Sequence, residues 1–177
     1  MEKITGNAQT KSYKIIPVFI AVFFFIPNLL WAGQFKVTRV TDGDTINVVG
    51  NGKKEIIRLV GIDAPETSKK KRQPGQPFSQ KSTKYLASLV LKKMVEIKSY
   101  GQDRYGRTLG VVYLNDINVN LEMIKAGLAE VYRGRPATGL DMDPYWKAEE
   151  KAKKADRGMW VLGDKYISPR EWRKMNR

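Results

Sequence analysis

Hydrophobic spacing divides this chain into an apolar run, three strands, a helix, more strands and then further helices. Ile15 to Ala32 is apolar and carries no charge. From Gln34 the period shortens towards two, the spacing of a half-buried strand. Gln34 to Thr41 alternates loosely through Phe35, Val37 and Val40 and stops at the turn pair Asp42-Gly43. Asp44 to Val49 follows, with Ile46 and Val48 on one face, and Asp44 shares their parity at the inward edge. Asn51-Gly52 predicts a hairpin turn into a third strand, Glu55 to Ile62. Three strands joined by two turns make a meander with acids near its ends.

Ser68 to Pro77 is a polar loop with Lys69-Lys70-Lys71-Arg72 and two prolines, readable either as a basic flap or as a solvated loop. Phe78 to Leu91 then takes helical spacing through Tyr85, Leu86, Leu89 and Val90. Met94 to Tyr100 and Leu109 to Leu114 read as strands four and five, the latter turning at Asn115-Asp116 into Ile117-Asn118-Val119. A short helix with Leu121, Ile124 and Leu128 is expected after an Asn120 cap, with Gly127 near its end. Asp143-Pro144 is the start signal of a last helix, supported by Glu149–Lys153 and Glu150–Lys154 pairs and ended by Gly158. Pattern alone therefore gives an α+β, mostly antiparallel domain.

Composition narrows the chemistry. The 177 residues suit one domain plus a leader or tail, and 42% hydrophobic content is enough for an ordinary core. Lys and Arg total 32 against 18 acids, a net charge of +14 that favours polyanionic partners. There is no cysteine, hence no disulfide framework. There is no histidine, which removes the commonest general base and the usual zinc ligand together. Catalysis would have to rest on carboxylates, Arg, Lys, Tyr or an oxygen-bound metal.

The apolar run fits a leader. Lys3, Lys11 and Lys14 precede it and Ala32 closes it, so residues 1–32 read as a secretory signal cut before Gly33. An uncleaved anchor is the rival, because 18 uncharged residues approach the ~20 that span a bilayer. A buried core helix is the third reading. Both membrane readings export the folded part, since positive residues stay inside.

Three acids, Asp44, Asp63 and Glu66, and one arginine, Arg58, fall near turns or strand ends between Thr41 and Glu66. A second cluster reads Asp103-Arg104-Tyr105-Gly106-Arg107. Carboxylates are hard oxygen donors suited to Ca²⁺, Mg²⁺ or Mn²⁺. Arginine forks bind two oxygens of a phosphoryl group and stay charged. Singly, Asp42 and Asp44 could be turn formers, and Arg58 with Glu66 a surface ion pair. A regular strand from Glu55 to Asp63 would aim Arg58 and Asp63 at opposite faces, so their convergence needs a bend, expected at Gly61.

Thr41-Asp42-Gly43-Asp44-Thr45, Arg58-Leu59-Val60-Gly61-Ile62-Asp63-Ala64-Pro65-Glu66 and the Arg104–Arg107 cluster, in this order, resemble the thermonuclease (staphylococcal-nuclease-like) family from about Gln34 to Trp160. The resemblance implies a five-stranded OB-type Greek-key β-barrel with about three helices behind an N-terminal hydrophobic leader, and a Ca²⁺-dependent nuclease acting on DNA and RNA to leave 3′-phosphates. It assigns the metal to Asp44, Asp63 and the carbonyl of Ala64, where the family often has Thr. Glu66 matches the residue that orients or deprotonates water, and Asp42 an acid that assists the metal through water. Arg58 and Arg107 match the arginines on the scissile phosphate, where they would stabilise the transition state. Arg104, more usually Lys, and Tyr105 match contacts to a terminal phosphate. Where the family has two tyrosines around the base, this chain has Tyr132 followed by Arg133-Gly134-Arg135.

The expected organisation is a leader over 1–32, a nuclease domain over 33–163 and a basic tail over 164–177. The protein is expected to be a monomer, secreted or periplasmic, and membrane-bound only through an uncut leader. The alternatives are a non-catalytic OB-type nucleic-acid-binding module and a membrane-anchored interaction domain.

Overall fold

A computed structural model describes residues 34–68 and 74–176. The leader, the Lys69–Arg72 run and Arg177 lie outside the described residues. Three strands open the fold: β1 (Gln34–Asp42), β2 (Thr45–Gly50) and β3 (Lys53–Leu59). They pair as an antiparallel meander, with Val40 opposite Ile46 and Ile46 opposite Ile57. The Asn51-Gly52 hairpin turn is present, both residues at positive φ, as a tight two-residue connection requires.

The third strand is shorter than its hydrophobic pattern. It stops at Leu59, the chain bends through Val60-Gly61, and Ile62–Asp63 forms a separate two-residue strand, β4. Gly61 sits at φ 82°, a region that penalises side chains, and a Cβ there would stand 3.1 Å from both Leu140 and Tyr145. The expected bend is therefore real and lies at the expected residue.

Helix α1 (Ser79–Val90) crosses the barrel and buries Ser79, Ser82, Leu86 and Val90 along one stripe. Leu86 and Val90 are fully buried, and each such side chain contributes about 1.5–3 kcal/mol relative to exposure. Strands β5 (Met94–Gln102) and β6 (Thr108–Leu114) return as a hairpin, and β6 turns through Asn115-Asp116 into β7 (Ile117–Asn118). β1 pairs with β5, and β3 pairs in parallel with β6, so β1, β2, β3, β6 and β5 close on themselves. This is the five-stranded barrel of the OB type. Val37, Ile46, Ile57, Leu59, Ile97 and Val112 fill it.

Helix α2 (Val119–Lys125) is capped by Asn118, whose side chain accepts from the Leu121 N–H, and not by Asn120. Asn120 is instead fully buried. Its amide donates to the carbonyls of Val60 and Gly110 and accepts from the Val112 N–H, pinning the β3–β4 bend to β6. Gly127 follows the helix at φ 65°, with Leu128 N–H donating to the Met123 carbonyl, the usual glycine stop. Strand β8 (Glu130–Val131) pairs with β4, placing Asp63 opposite Glu130.

Helix α3 (Asp143–Lys154) starts at the predicted Asp143-Pro144, but its cap residue is Met142 and no side chain caps it. It ends at Lys154, and Gly158 opens a 3₁₀ segment, Gly158–Lys165, where the sequence pattern had it closing the helix. Both Glu–Lys pairs form, Lys153 to Glu149 at 3.0 Å and Lys154 to Glu150 at 2.6 Å. Glu149 does more than pair. It is buried and also accepts from the Val131 N–H and from Arg133. The stretch set apart as a basic tail forms a fourth helix, α4 (Pro169–Met175), opened by a full capping box between Ser168 and Glu171. Among the described residues no helix is long and apolar enough to cross a membrane.

Candidate active site

The β1–β2 turn brings the first acid to the site. At Gly43 an added Cβ would lie 1.9 Å from Ser82 Oγ and 2.8 Å from the Ala64 Cβ. Only glycine allows the turn to press against α1 and the β4 loop. The next residue, Asp44, is buried. Its Oδ1 accepts from Thr45 Oγ1 at 3.1 Å and its Oδ2 from the Ala64 N–H at 2.8 Å. Asp42 Oδ1 accepts from the Asp44 N–H at 3.2 Å, so both turn acids also shape the turn.

Arg58 lies opposite Thr45 in the β2–β3 ladder, and its guanidinium reaches across the same face. Nη1 forms an ion pair with Asp44 Oδ2, and Nη2 donates to Asp63 Oδ1 at 3.0 Å. The bend at Gly61 is what lets Asp63, five residues further on, meet Arg58. Arg58 does not pair with Glu66, so the surface ion pair considered from sequence is not formed. Burial pushes the Arg58 pKa down from the ordinary guanidinium value, with Asp63 and then Asp42 acting against that shift.

Glu66 is placed by a residue that the pattern left in a polar loop. The Gln76 backbone N–H donates to the Glu66 carbonyl at 2.9 Å, and the Gln76 side-chain oxygen accepts from the Glu66 N–H at 3.0 Å. The Gln76 amide also donates to the Ile167 carbonyl at 2.6 Å, tying this loop to the segment before α4.

That helix delivers a second unforeseen residue. Arg173 Nη2 donates to Asp63 Oδ2 at 2.7 Å, and Nη1 donates to Asp63 Oδ1 at 3.0 Å and to Glu66 Oε1 at 2.6 Å. The hydrogen bonds to Asp63, outweighing partial burial, raise the Arg173 pKa above its ordinary value. Asp44, Asp63 and Glu66 are thus gathered around two guanidinium groups.

Closure of the barrel supplies the remaining basic residue. Arg58 lies beside Leu109 in the parallel β3–β6 pair, so Arg107, just before β6, stands at the end of the neighbouring strand. Asp103 holds it. Asp103 Oδ2 accepts from Arg107 Nε at 2.7 Å, and Oδ1 accepts from the N–H groups of Tyr105 and Arg107. Burial works against ionisation of Asp103, but these hydrogen bonds prevail and hold its carboxyl below the usual range. Arg104 and Tyr105 are exposed on the same turn, where Arg104 Nη2 donates to the Tyr105 hydroxyl at 2.7 Å and stacks over the ring at 4.8 Å. Tyr132 N–H donates to the Gly61 carbonyl, and its ring lines an open cleft with Tyr100, Leu109 and Arg135.

The donor set can be judged for a cation. Asp44 and Asp63 offer oxygen only, and no group of three or more Asp, Glu, His or Cys suited to a metal occurs among the described residues. Two carboxylates and a neighbouring main-chain carbonyl fit a hard cation that keeps several waters, not zinc or copper. Asp63 already faces two arginines and Asp44 one, so the site is built to carry positive charge.

Arg58, Asp44 and Asp63 therefore converge as the sequence required, and Glu66 joins them through Arg173. Arg107, Arg104 and Tyr105 form a separate turn between β5 and β6. Sequence reasoning missed Gln76, Asn120, Asp103 as the holder of Arg107, and Arg173. Asp103 had a local signal, its position at the head of a turn. The others act over 8 to 110 residues and had none.

Comparison with known proteins shows the chain's relatives. Residues 56–161 match the family model described as staphylococcal nuclease homologue. An uncharacterized endonuclease of Haemophilus influenzae is 40% identical over 144 residues, spanning 80% of this chain and 74% of the relative. An uncharacterized endonuclease of Escherichia coli O157:H7 is 40% identical over 162 residues, 90% of this chain and 97% of the relative. A micrococcal nuclease of Shigella flexneri is 34% identical over 169 residues, 89% and 90% respectively.

Proposed function

Because this chain belongs to the staphylococcal nuclease family, we propose that it is a Ca²⁺-dependent nuclease that hydrolyses phosphodiester bonds in DNA and RNA and leaves 3′-phosphates. The observation that carries the proposal is the convergence of Arg58 on Asp44 and Asp63, with Arg58 Nη2 at 3.0 Å from Asp63 Oδ1. Asp44 meets Arg58 across the β2–β3 ladder, and Asp63 joins them through the Gly61 bend. A net charge of +14 would draw a polyanionic substrate to it.

In this reading Asp44, Asp63 and the Ala64 carbonyl would hold Ca²⁺, which when bound would neutralise charge on a phosphoryl oxygen. Glu66 accepts a proton from the attacking water or orients it. The water oxygen bonds to phosphorus, the bond from phosphorus to the 5′ oxygen breaks, and that oxygen takes a proton from solvent. Arg58 and Arg107 donate to the phosphoryl oxygens as negative charge builds there, and donors fixed before the reaction need no reorganisation. Arg104 and Tyr105 would meet the next phosphate.

Incubating the purified protein with single-stranded DNA, with Ca²⁺ or with chelator, tests this. Cleavage with Ca²⁺ alone, giving 3′-phosphate ends, is expected. Binding without cleavage in either condition would leave a nucleic-acid-binding module.

A further inference from the structure

We propose that Arg173 is an internal competitor of the cation: α4 holds its guanidinium on Asp63 and Glu66, and the helix must withdraw for a divalent ion to bind. The proposal rests on the reading of Asp44 and Asp63 as cation ligands.

Arg173 takes both oxygens of Asp63, at 3.0 and 2.7 Å, and reaches Glu66 Oε1 at 2.6 Å. Asp63 is only 2% exposed, so these oxygens have little other access to solvent. A Ca²⁺ ion sits 2.3–2.6 Å from its oxygen ligands. It cannot take the lone pairs of Asp63 that a two-pronged guanidinium already covers. The same contact also engages the carboxylate meant for water, so one side chain blocks both functions.

Of the two arginines at the site, Arg173 is the one able to leave. Arg58 is fixed in a barrel strand and its side chain is 15% exposed, whereas that of Arg173 is 38% exposed on a terminal helix. Helix α4 has seven residues, of which only Pro169 is buried. A helix that short is not stable alone in water. Apart from the Arg173 bonds themselves, it is tied by the Gln76 bond to Ile167, and Trp172 lines a small cavity with Pro77, Met159 and Tyr166. Light attachment of this kind permits local opening without unfolding the barrel. The resulting device would keep the site closed until cation and substrate are both at hand.

Calorimetric titration of Ca²⁺ into the full chain, its Arg173→Gln and Lys174→Gln variants, and Asp63→Asn is the test. Lys174 lies next on the same helix, is exposed, and has the same charge. Competition is a negative coupling, and couplings between sites commonly span 5- to 150-fold. Arg173→Gln should bind Ca²⁺ about tenfold more tightly, with Lys174→Gln unchanged. In the unmodified protein, Ca²⁺ should also speed hydrogen exchange in residues 168–176, a readout that needs no variant. Equal or weaker binding by Arg173→Gln, an equal gain in Lys174→Gln, or unchanged exchange over 168–176 would overturn the proposal. If Asp63→Asn bound Ca²⁺ as the unmodified protein does, the cation reading itself would fail and the competitor with it. If Asp63→Asn lost binding while Arg173→Gln matched the unmodified protein, the competitor alone would fail.

Discussion

Asp63 accepts three hydrogen bonds from two arginines on two oxygens, while Glu66 accepts one from Arg173 and holds its backbone through Gln76. The two acids are therefore not interchangeable, and substitution should separate their roles. Glu66→Gln keeps shape and the backbone bonds but removes the basic oxygen. Loss of a positioned base costs ~10²–10⁴ in rate, so turnover should fall by that order while DNA binding is largely kept, as read by steady-state kinetics beside a binding titration. Turnover at the unmodified rate would remove Glu66 from the mechanism. Arg58→Lys and Arg107→Lys retain charge and lose the fork. If both act on the transition state, kcat should drop far more than KM rises. A rise in KM alone would mean uniform substrate binding. At this scale the sequence was informative where a residue's position is set by its neighbours in the chain. Asp44 follows from a turn and strand parity, and Arg58 from its motif. Arg173 is paired 110 residues away from Asp63, and nothing local marks it.

At the scale of elements, the site depends on one interruption. Periodicity ran the third strand on to Ile62, because Val60 and Ile62 are apolar. The chain instead bends at Gly61 and starts a new pairing with β8. The glycine could be recognised from the need for Arg58 and Asp63 to share a face, but the partner strand could not. Asn120 shows the converse. Its type suggested a helix cap, since asparagine favours that place, yet Asn118 takes the cap and Asn120 joins β6 to the bend. Burial decided between two adjacent asparagines, and burial is a tertiary property. Asn120→Ala would strip partners from the buried Val112 N–H and Val60 carbonyl. Each unsatisfied buried group costs about 1–3 kcal/mol, so a loss of roughly 3 kcal/mol is expected in urea denaturation, with reduced activity as the Arg58–Asp63 geometry loosens. A change below about 0.5 kcal/mol, the size of an ordinary surface substitution, would show that the bend is held by other contacts.

For the whole molecule, barrel closure and charge act together. Parallel pairing of β3 with β6 sets Arg58 and the Arg107 turn on adjacent strands, and the net charge of +14 draws polyanions to the molecule without specifying where they bind or react. In the proposed function, cation and phosphate meet at Asp44 and Asp63. Two carboxylates and one carbonyl leave much of a Ca²⁺ coordination sphere to water, and a substrate phosphate would supply a further oxygen. Each ligand must then raise the affinity of the other by the same factor. Calorimetric titration of Ca²⁺ with and without a non-hydrolysable dinucleotide measures this directly. Tighter Ca²⁺ binding in the presence of the dinucleotide, lost in Asp44→Asn and Asp63→Asn, is the expected result. Identical Ca²⁺ affinity in both titrations would contradict it.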